Sequence, residues 1–155
     1  MSTDGEDMPG LPADTRFLVV DDGAAIRALM QAYLRRLGYE DVDLAANVKE
    51  GLALFRERGH DVVFLDLTVG GENGNEFAEQ AFAERPEVSI VLMTAHPSTH
   101  PDVVALVALG ARDYLPKPIQ IHRLSGVIEH VAEDREARAD EEPYDRPAAI
   151  DASYG

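Results

Sequence analysis

Apolar residues along the chain fall into short continuous runs that alternate with longer, spaced stretches. Phe17 to Val20 is a four-residue apolar run ending in Asp21 and Asp22, as expected of a central parallel strand whose C-terminal end meets solvent. From Ala24 to Leu37, the residues Ile26, Leu29, Met30, Tyr33, Leu34 and Leu37 recur at helical spacing and Gly38 supplies a stop, which predicts an amphipathic helix. Val42 to Ala45 reads as a second short strand. Asn47 followed three residues later by Glu50 is a capping pattern. It opens a helix through Val48, Leu52 and Phe55 that Gly59 ends.

The alternation continues to the end of the core. Asp61 to Asp66, DVVFLD, is a third strand with an acid at its exit, and TVGGENGN after it reads as a glycine-rich loop. Glu76 to Glu84 is a short helix with Phe77 and Ala81 inward, and Val88 to Met93 is a fourth strand ending at Thr94. Asp102 to Leu109 follows a proline-marked start and Gly110 closes it; Asp113 to Leu115 is a fifth strand running into Pro116, Lys117 and Pro118. Ile121 to Arg135 is a last amphipathic helix, with Leu124, Val127, Ile128 and Val131 on one face. Five strands alternating with five helices predict an α/β domain with helices on both faces of a doubly wound parallel sheet, because each crossover to a parallel neighbour is long and right-handed. The expected limits are a disordered acidic extension over 1–14, one domain over 15–135, and a disordered acidic tail over 136–155. Periodicity leaves the strand order open.

Composition narrows the class of function. The 155 residues suit a single core, and the chain is 45% hydrophobic but only 6% aromatic, so Val, Leu, Ile and Ala must fill it. A formal charge of −15 repels phosphate backbones, which argues against nucleic-acid binding. That acidity is largely peripheral: residues 1–14 carry four acids and no Lys or Arg, and residues 133–155 carry eight acids against three arginines. The absence of cysteine removes disulfides and thiolate metal sites. No apolar run is long enough to span a membrane, and the N-terminus lacks the basic start and apolar stretch of a signal peptide. A soluble, cytoplasmic protein without membrane contact is expected.

Candidate chemistry gathers at one edge. In open parallel sheets ligands bind beyond the C-terminal strand ends, and Asp21, Asp22, Asp66, Thr94 and Lys117 all fall there. Three carboxylates held together repel one another unless a cation offsets them. A hard divalent ion, Mg²⁺ or Mn²⁺, suits an all-oxygen set and commonly bridges carboxylates to a phosphoryl oxygen. No His or Cys spacing suits zinc. A carboxylate beside such an ion can attack phosphorus to form an acyl phosphate, with the Lys117 amine and the Thr94 hydroxyl as donors to its oxygens. Lysine is scarce here, two residues against twelve arginines, which sets Lys117 apart.

The segments VVDDGAAIR, VVFLDLTVGGENG, VLMTA and GARDYLPKP, in that order, resemble the successive signatures of response-regulator receiver domains, and the resemblance covers residues 16 to 132. It implies a flavodoxin-like sheet of order 2-1-3-4-5 with five helices, in a signalling phosphoacceptor of two-component or phosphorelay systems. Such a protein assists only its own phosphotransfer and autodephosphorylation. It implies Asp66 as phosphoacceptor, Asp22 as a direct metal ligand, Asp21 as a ligand through water, and the Thr68 carbonyl as a third protein oxygen. It also implies Thr94 and Tyr114 as a switch pair, and a cis peptide between Lys117 and Pro118. The implied partners are a histidine kinase or histidine phosphotransfer protein, and a downstream protein that docks on the surface of the fourth helix, fifth strand and fifth helix. The expected form is a stand-alone receiver, monomeric or dimerising on phosphorylation.

The pattern departs from most relatives after the phosphoacceptor, where Val69, Gly70 and Asn73 replace a Met-Pro pair and an Asp, although Gly74 fits. Exchange of proline for glycine predicts a less ordered loop and looser metal binding. Thr68 and His96, two positions beyond Asp66 and Thr94, fall where the family tunes access of water to the acyl phosphate.

Each residue alone has a plainer reading. An acidic pair can end a strand or cap a helix, Thr94 and Tyr114 can simply pack, and His96 and His100 can face solvent. The glycines from Gly70 to Gly74 fit neither a dinucleotide fingerprint nor a Walker loop. Two rival functions remain: a degenerate receiver serving as a phosphorylation-independent interaction module, and a phosphatase of the haloacid dehalogenase type. The second normally has an acid two residues after its nucleophile, where this chain has Thr68.

Overall fold

A computed structural model describes residues 10–140. In chain order the elements are β1 (Phe17–Val20), α1 (Ala24–Arg36), β2 (Val42–Ala45), α2 (Val48–Arg58), β3 (Val62–Asp66), β4 (Thr68–Val69), β5 (Glu72–Asn73), α3 (Asn75–Glu84), β6 (Ser89–Thr94), α4 (Pro101–Leu109), β7 (Asp113–Pro116) and α5 (Ile121–Asp140). β2, β1, β3, β6 and β7 lie in that order in one sheet, and every neighbouring pair is parallel. This is the expected 2-1-3-4-5 order once the small β4–β5 hairpin is set aside.

Strand residues alternate between the faces of a sheet, and that parity sorts the core into two halves. Leu18, Val20, Val63, Leu65, Ile90 and Leu92 pack on one face with Leu52 and Phe55 of α2, Phe77 and Ala81 of α3, and Val103 and Leu106 of α4. Phe17, Val19, Val62, Phe64, Val91, Met93 and Leu115 pack on the other with Met30 and Leu34 of α1 and Leu124, Val127, Ile128 and Val131 of α5. Both faces are covered, which is why β1, β3 and β6 read as unbroken apolar runs. The Asn47–Glu50 capping pattern is realised: the Asn47 side chain accepts the Glu50 amide at 2.7 Å, and Glu50 accepts the Ala46 amide at 2.7 Å.

Three expectations need correction. The extension does not begin its order at Thr15, because Leu11 already packs against the α1–α5 half of the core. The Tyr39 hydroxyl accepts the Leu11 amide at 3.0 Å and donates to the Leu11 carbonyl at 3.1 Å. At the other end α5 continues past Arg135 to Asp140. Arg135 donates to the Asp61 carbonyl and to Ser89 Oγ, and Arg138 to Asp134 one turn earlier, so the extra turn is tied down by charged bonds that apolar spacing does not report. The rest of both expected disordered tails, 1–9 and 141–155, lies outside the described residues. The third correction concerns the glycine-rich stretch after Asp66. It is a hairpin in which Thr68 pairs with Asn73 and Val69 with Glu72, turned by Gly70 (φ 59°) and Gly71 (φ 85°). Two successive left-handed residues form the two-residue turn whose twist suits adjacent antiparallel strands. Val69 is fully buried in the core, so the glycines define this segment where the sequence suggested loosening.

Candidate phosphoryl and metal site

The parallel topology carries the exits of β1, β3, β6 and β7 to one edge, and five of the singled-out residues meet there. Asp21 follows β1 and is 1% exposed, Asp22 beside it is exposed, and Asp66 ends β3 nearly buried. One carboxylate oxygen from each of the three lies within 4.8 Å of the others. Lys117, just past β7, places Nζ 2.9 Å from Asp21 Oδ2 and 3.4 Å from Asp66 Oδ1. Its own amide donates to the Thr94 carbonyl at 2.9 Å, and the peptide it makes with Pro118 is cis, as the family resemblance implied.

The two acids of β1's exit differ in what they have left to offer. Asp21 Oδ1 accepts the Gly23 amide at 2.8 Å and Oδ2 accepts Lys117, so both oxygens are engaged. Asp22 is exposed and free to turn to an ion. Burial pushes the Asp66 carboxyl above its ordinary pKa and the Asp21 charge adds to this, while Lys117 and the Thr68 amide pull partly back. Burial alone would lower the Lys117 ammonium, but its bonds to Asp21 and Asp66 outweigh that and raise it. One amine faces three carboxylates. The oxygen-only donor set and its net negative charge fit a hard divalent cation.

Thr94 ends β6 buried at 2% exposure, and its Oγ accepts the His96 amide at 3.0 Å. Tyr114 in β7 packs partly on the α2–α4 half of the core, and its hydroxyl donates to the His96 carbonyl. The proposed switch pair therefore meets through one residue's backbone. Thr68 is exposed in β4 and His96 is exposed beyond β6. The roles of two residues escaped the sequence reading, in which His100 simply faced solvent. Arg27, in the first turn of α1, donates to the Asp21 carbonyl at 2.8 Å. His100 accepts the Asp102 amide through Nδ1 at 3.1 Å, capping α4. An Arg three residues into a helix that follows an acidic pair was a visible but unspecific signal, and an imidazole is an uncommon cap. A surface cavity of about 690 Å³ lies at the opposite, N-terminal strand edge, lined by Leu11, Thr15, Arg16, Asp41, Asp61 and Arg135 among others. None of the gathered acids reaches it.

The family model described as "Response regulator receiver domain" matches residues 17–129. The chain belongs to that family. It is a receiver domain of two-component signalling, and nothing found favours the phosphatase. The receiver is 37% identical over 139 residues to the transcriptional regulatory protein ZraR of Salmonella typhimurium, covering 89% of this chain and 30% of that protein. It is 27% identical over 117 residues to the chemotaxis protein CheY of Thermotoga maritima, covering 76% of this chain and 97% of that one. Among solved structures, a CheY-like receiver domain protein from Methanospirillum hungatei superposes with a TM-score of 0.73 at 29% identity, covering 80% of this chain and 98% of that one. The receiver thus spans under a third of the length of ZraR and nearly all of the length of CheY. Among the described residues no helix is long and apolar enough to cross a membrane.

Proposed function

We propose that this receiver takes a phosphoryl group on Asp66 from a histidine kinase or histidine phosphotransfer protein and, when loaded, changes the surface formed by α4, β7 and α5. The observation that carries this is the meeting of Asp21, Asp22 and Asp66 with the Lys117 amine at one strand edge. Asp22 and Asp66, with the Thr68 carbonyl, would hold Mg²⁺ or Mn²⁺ directly, and Asp21, its oxygens already bonded, would act through water. The bound ion would offset the carboxylates' mutual repulsion and neutralise charge on the phosphoryl oxygens. An Asp66 oxygen attacks phosphorus as the bond from phosphorus to the donor's nitrogen, or to the oxygen of acetyl phosphate, breaks. Lys117 and Thr94 donate to the phosphoryl oxygens.

Thr94 would leave its bond with the His96 amide to reach that phosphoryl group, and Tyr114 would follow inward. The surface so altered includes Val104, Val107 and Leu109 of α4, apolar side chains left exposed at 52%, 51% and 38%. A single helix with that much bare apolar surface suits a protein partner. Either reading needs such a contact; it is the assembled acids and the Lys117 amine that favour switching over the passive module.

Incubation with acetyl phosphate and Mg²⁺ should give one added phosphoryl group by intact mass, lost in Asp66→Asn and on chelation with EDTA. No added mass with acetyl phosphate or with a histidine kinase would instead make the protein a passive interaction module. Thr68 and His96 are both exposed and, two positions beyond Asp66 and Thr94, would govern access of water to the acyl phosphate. Exchanging the pair for bulkier or acidic residues is expected to shift the phosphoryl lifetime several-fold; an unchanged decay of the labelled protein would remove them from that role.

A further inference from the structure

The loop between β6 and α4 holds a ring–ring contact to which the phosphoryl chemistry itself gives no part. His96 and His100 stack with ring centroids 4.2 Å apart and an interplanar angle of 33°. The His96 amide is held by Thr94 Oγ, its carbonyl by the Tyr114 hydroxyl, and its ring by His100. His100 in turn caps α4, its Nδ1 accepting the Asp102 amide, and the Val104 amide bonds the His100 carbonyl at 3.0 Å. One exposed histidine is thus joined to the buried hydroxyl of the site, to the aromatic of β7 and, through a second ring, to the first turn of a helix.

We propose that the His96–His100 stack is a positioning element that makes the first turn of α4 follow the Thr94 hydroxyl. The proposal rests on the phosphoacceptor reading above. His96 is exposed and His100 half-buried, and neither belongs to the two halves of the core. An Asn, Asp or Ser would cap α4 at least as well. An imidazole at position 100 does what those residues cannot, since Nδ1 caps the helix while the ring face meets His96. α4 is also loosely held. Only Val103 and Leu106 of its nine residues are buried, and Pro101 at its start offers no amide. A helix anchored by two side chains responds to a pull at its N-terminus more readily than one keyed along its length. When Thr94 Oγ turns to a phosphoryl oxygen, the His96 amide must follow it or lose its acceptor. The stacked ring then carries that displacement to the cap, while the His96 carbonyl releases or moves the Tyr114 hydroxyl.

The experiment follows backbone amide shifts in ¹⁵N-labelled protein with Mg²⁺, before and after saturation with beryllofluoride, each variant titrated to its own saturation so that affinity does not enter. His96→Ala removes one ring but leaves both backbone bonds, and His100→Asn keeps a cap while removing the other. Both are expected to retain the shifts at Thr94 and Lys117 but to lose most of those over Val103 to Leu109, a several-fold reduction. His96→Phe, which restores a stacking ring, is expected to recover them. Full-sized shifts along α4 in both ring-deleted variants would overturn the coupling, as would a failure of His96→Phe to differ from His96→Ala. A wild-type protein with no response to beryllofluoride anywhere would overturn the phosphoacceptor reading and the coupling together, which separates the two failures.

Discussion

Lys117→Ala should slow labelling by acetyl phosphate by about 10²-fold while tightening Mg²⁺ binding by about tenfold. The two effects have opposite signs because the amine does two things. Toward the phosphoryl group it is a donor placed where negative charge develops, and removal of one such donor typically costs about 10²–10³ in rate. It also holds the nucleophile ready. Burial and the neighbouring Asp21 charge already push the Asp66 carboxyl up, and Lys117 is the principal group pulling it back. Without the amine, more of Asp66 is protonated, and a protonated carboxyl is no nucleophile. Toward the metal, however, the ammonium is a rival cation. A unit charge a few ångströms away is worth about 1–4 kcal/mol between water and a partly buried setting; the Lys117 side chain is only 22% exposed, so the figure of about tenfold, which needs only about 1.4 kcal/mol, is a lower bound. Calorimetric titration with Mg²⁺ and intact-mass kinetics check the pair. Labelling at the wild-type rate would remove Lys117 from the chemistry, and weaker metal binding would mean that the amine organises the acids rather than competing with an ion.

The architecture was legible because it rests on periodicity. β1, β3 and β6 are covered on both faces and so appear as unbroken apolar runs closed by an acid or a hydroxyl, and α1 and α5 show their buried stripes at helical spacing. The convergence of Asp21, Asp66, Thr94 and Lys117 followed from the same pattern, since parallel strands must deliver their C-terminal ends to one edge. Strand order and individual metal roles came only through family resemblance. What escaped was set by single side-chain bonds. The extra turn of α5 depends on Arg135 and Arg138 both reaching Ser89 at the start of β6 and on Arg138 bonding Asp134 one turn earlier, and the ordered start at Leu11 depends on one hydroxyl at Tyr39. The hairpin after Asp66 escaped because Gly70 and Gly71 have two opposite readings. They loosen a chain in general, yet they are also the residues that two adjacent positive φ angles require; only the pairing of Thr68 with Asn73 decides between them. The stack of His96 on His100 is a contact between an exposed and a half-buried polar side chain, on which hydrophobic pattern carries no information.

That hairpin closes on Gly74, where the largest structural effect of a single methyl group is expected. Gly74 has φ −61° and ψ −19°, a conformation open to any residue, so backbone freedom is not the reason for glycine. The reason is distance. A Cβ at this position would lie 2.6 Å from the Asp66 carbonyl oxygen and 3.1 Å from that of Leu67, while the Gly74 amide bonds the Leu67 carbonyl at 2.8 Å. Both obstacles are backbone, so no side chain can swing aside, and relief must come from moving the exit of β3 away from the start of α3. Overpacking of this kind costs about 1–3 kcal/mol. The displaced segment carries Asp66 itself, and a shift of about 1 Å at a reacting group can cost about 10²-fold in rate. Gly74→Ala is therefore expected to lower stability in urea melts and to lose labelling even where the protein is still folded. Gly126→Ala in α5 is the control. Beyond its own stretch of helix, no atom lies within 4 Å of its added methyl, and alanine in a helix interior should stabilise by about 0.5–1 kcal/mol, with labelling unchanged. Equal, mild effects from both substitutions would show that β3 and α3 can part without cost, and that the position of Asp66 does not depend on how closely the hairpin returns to it.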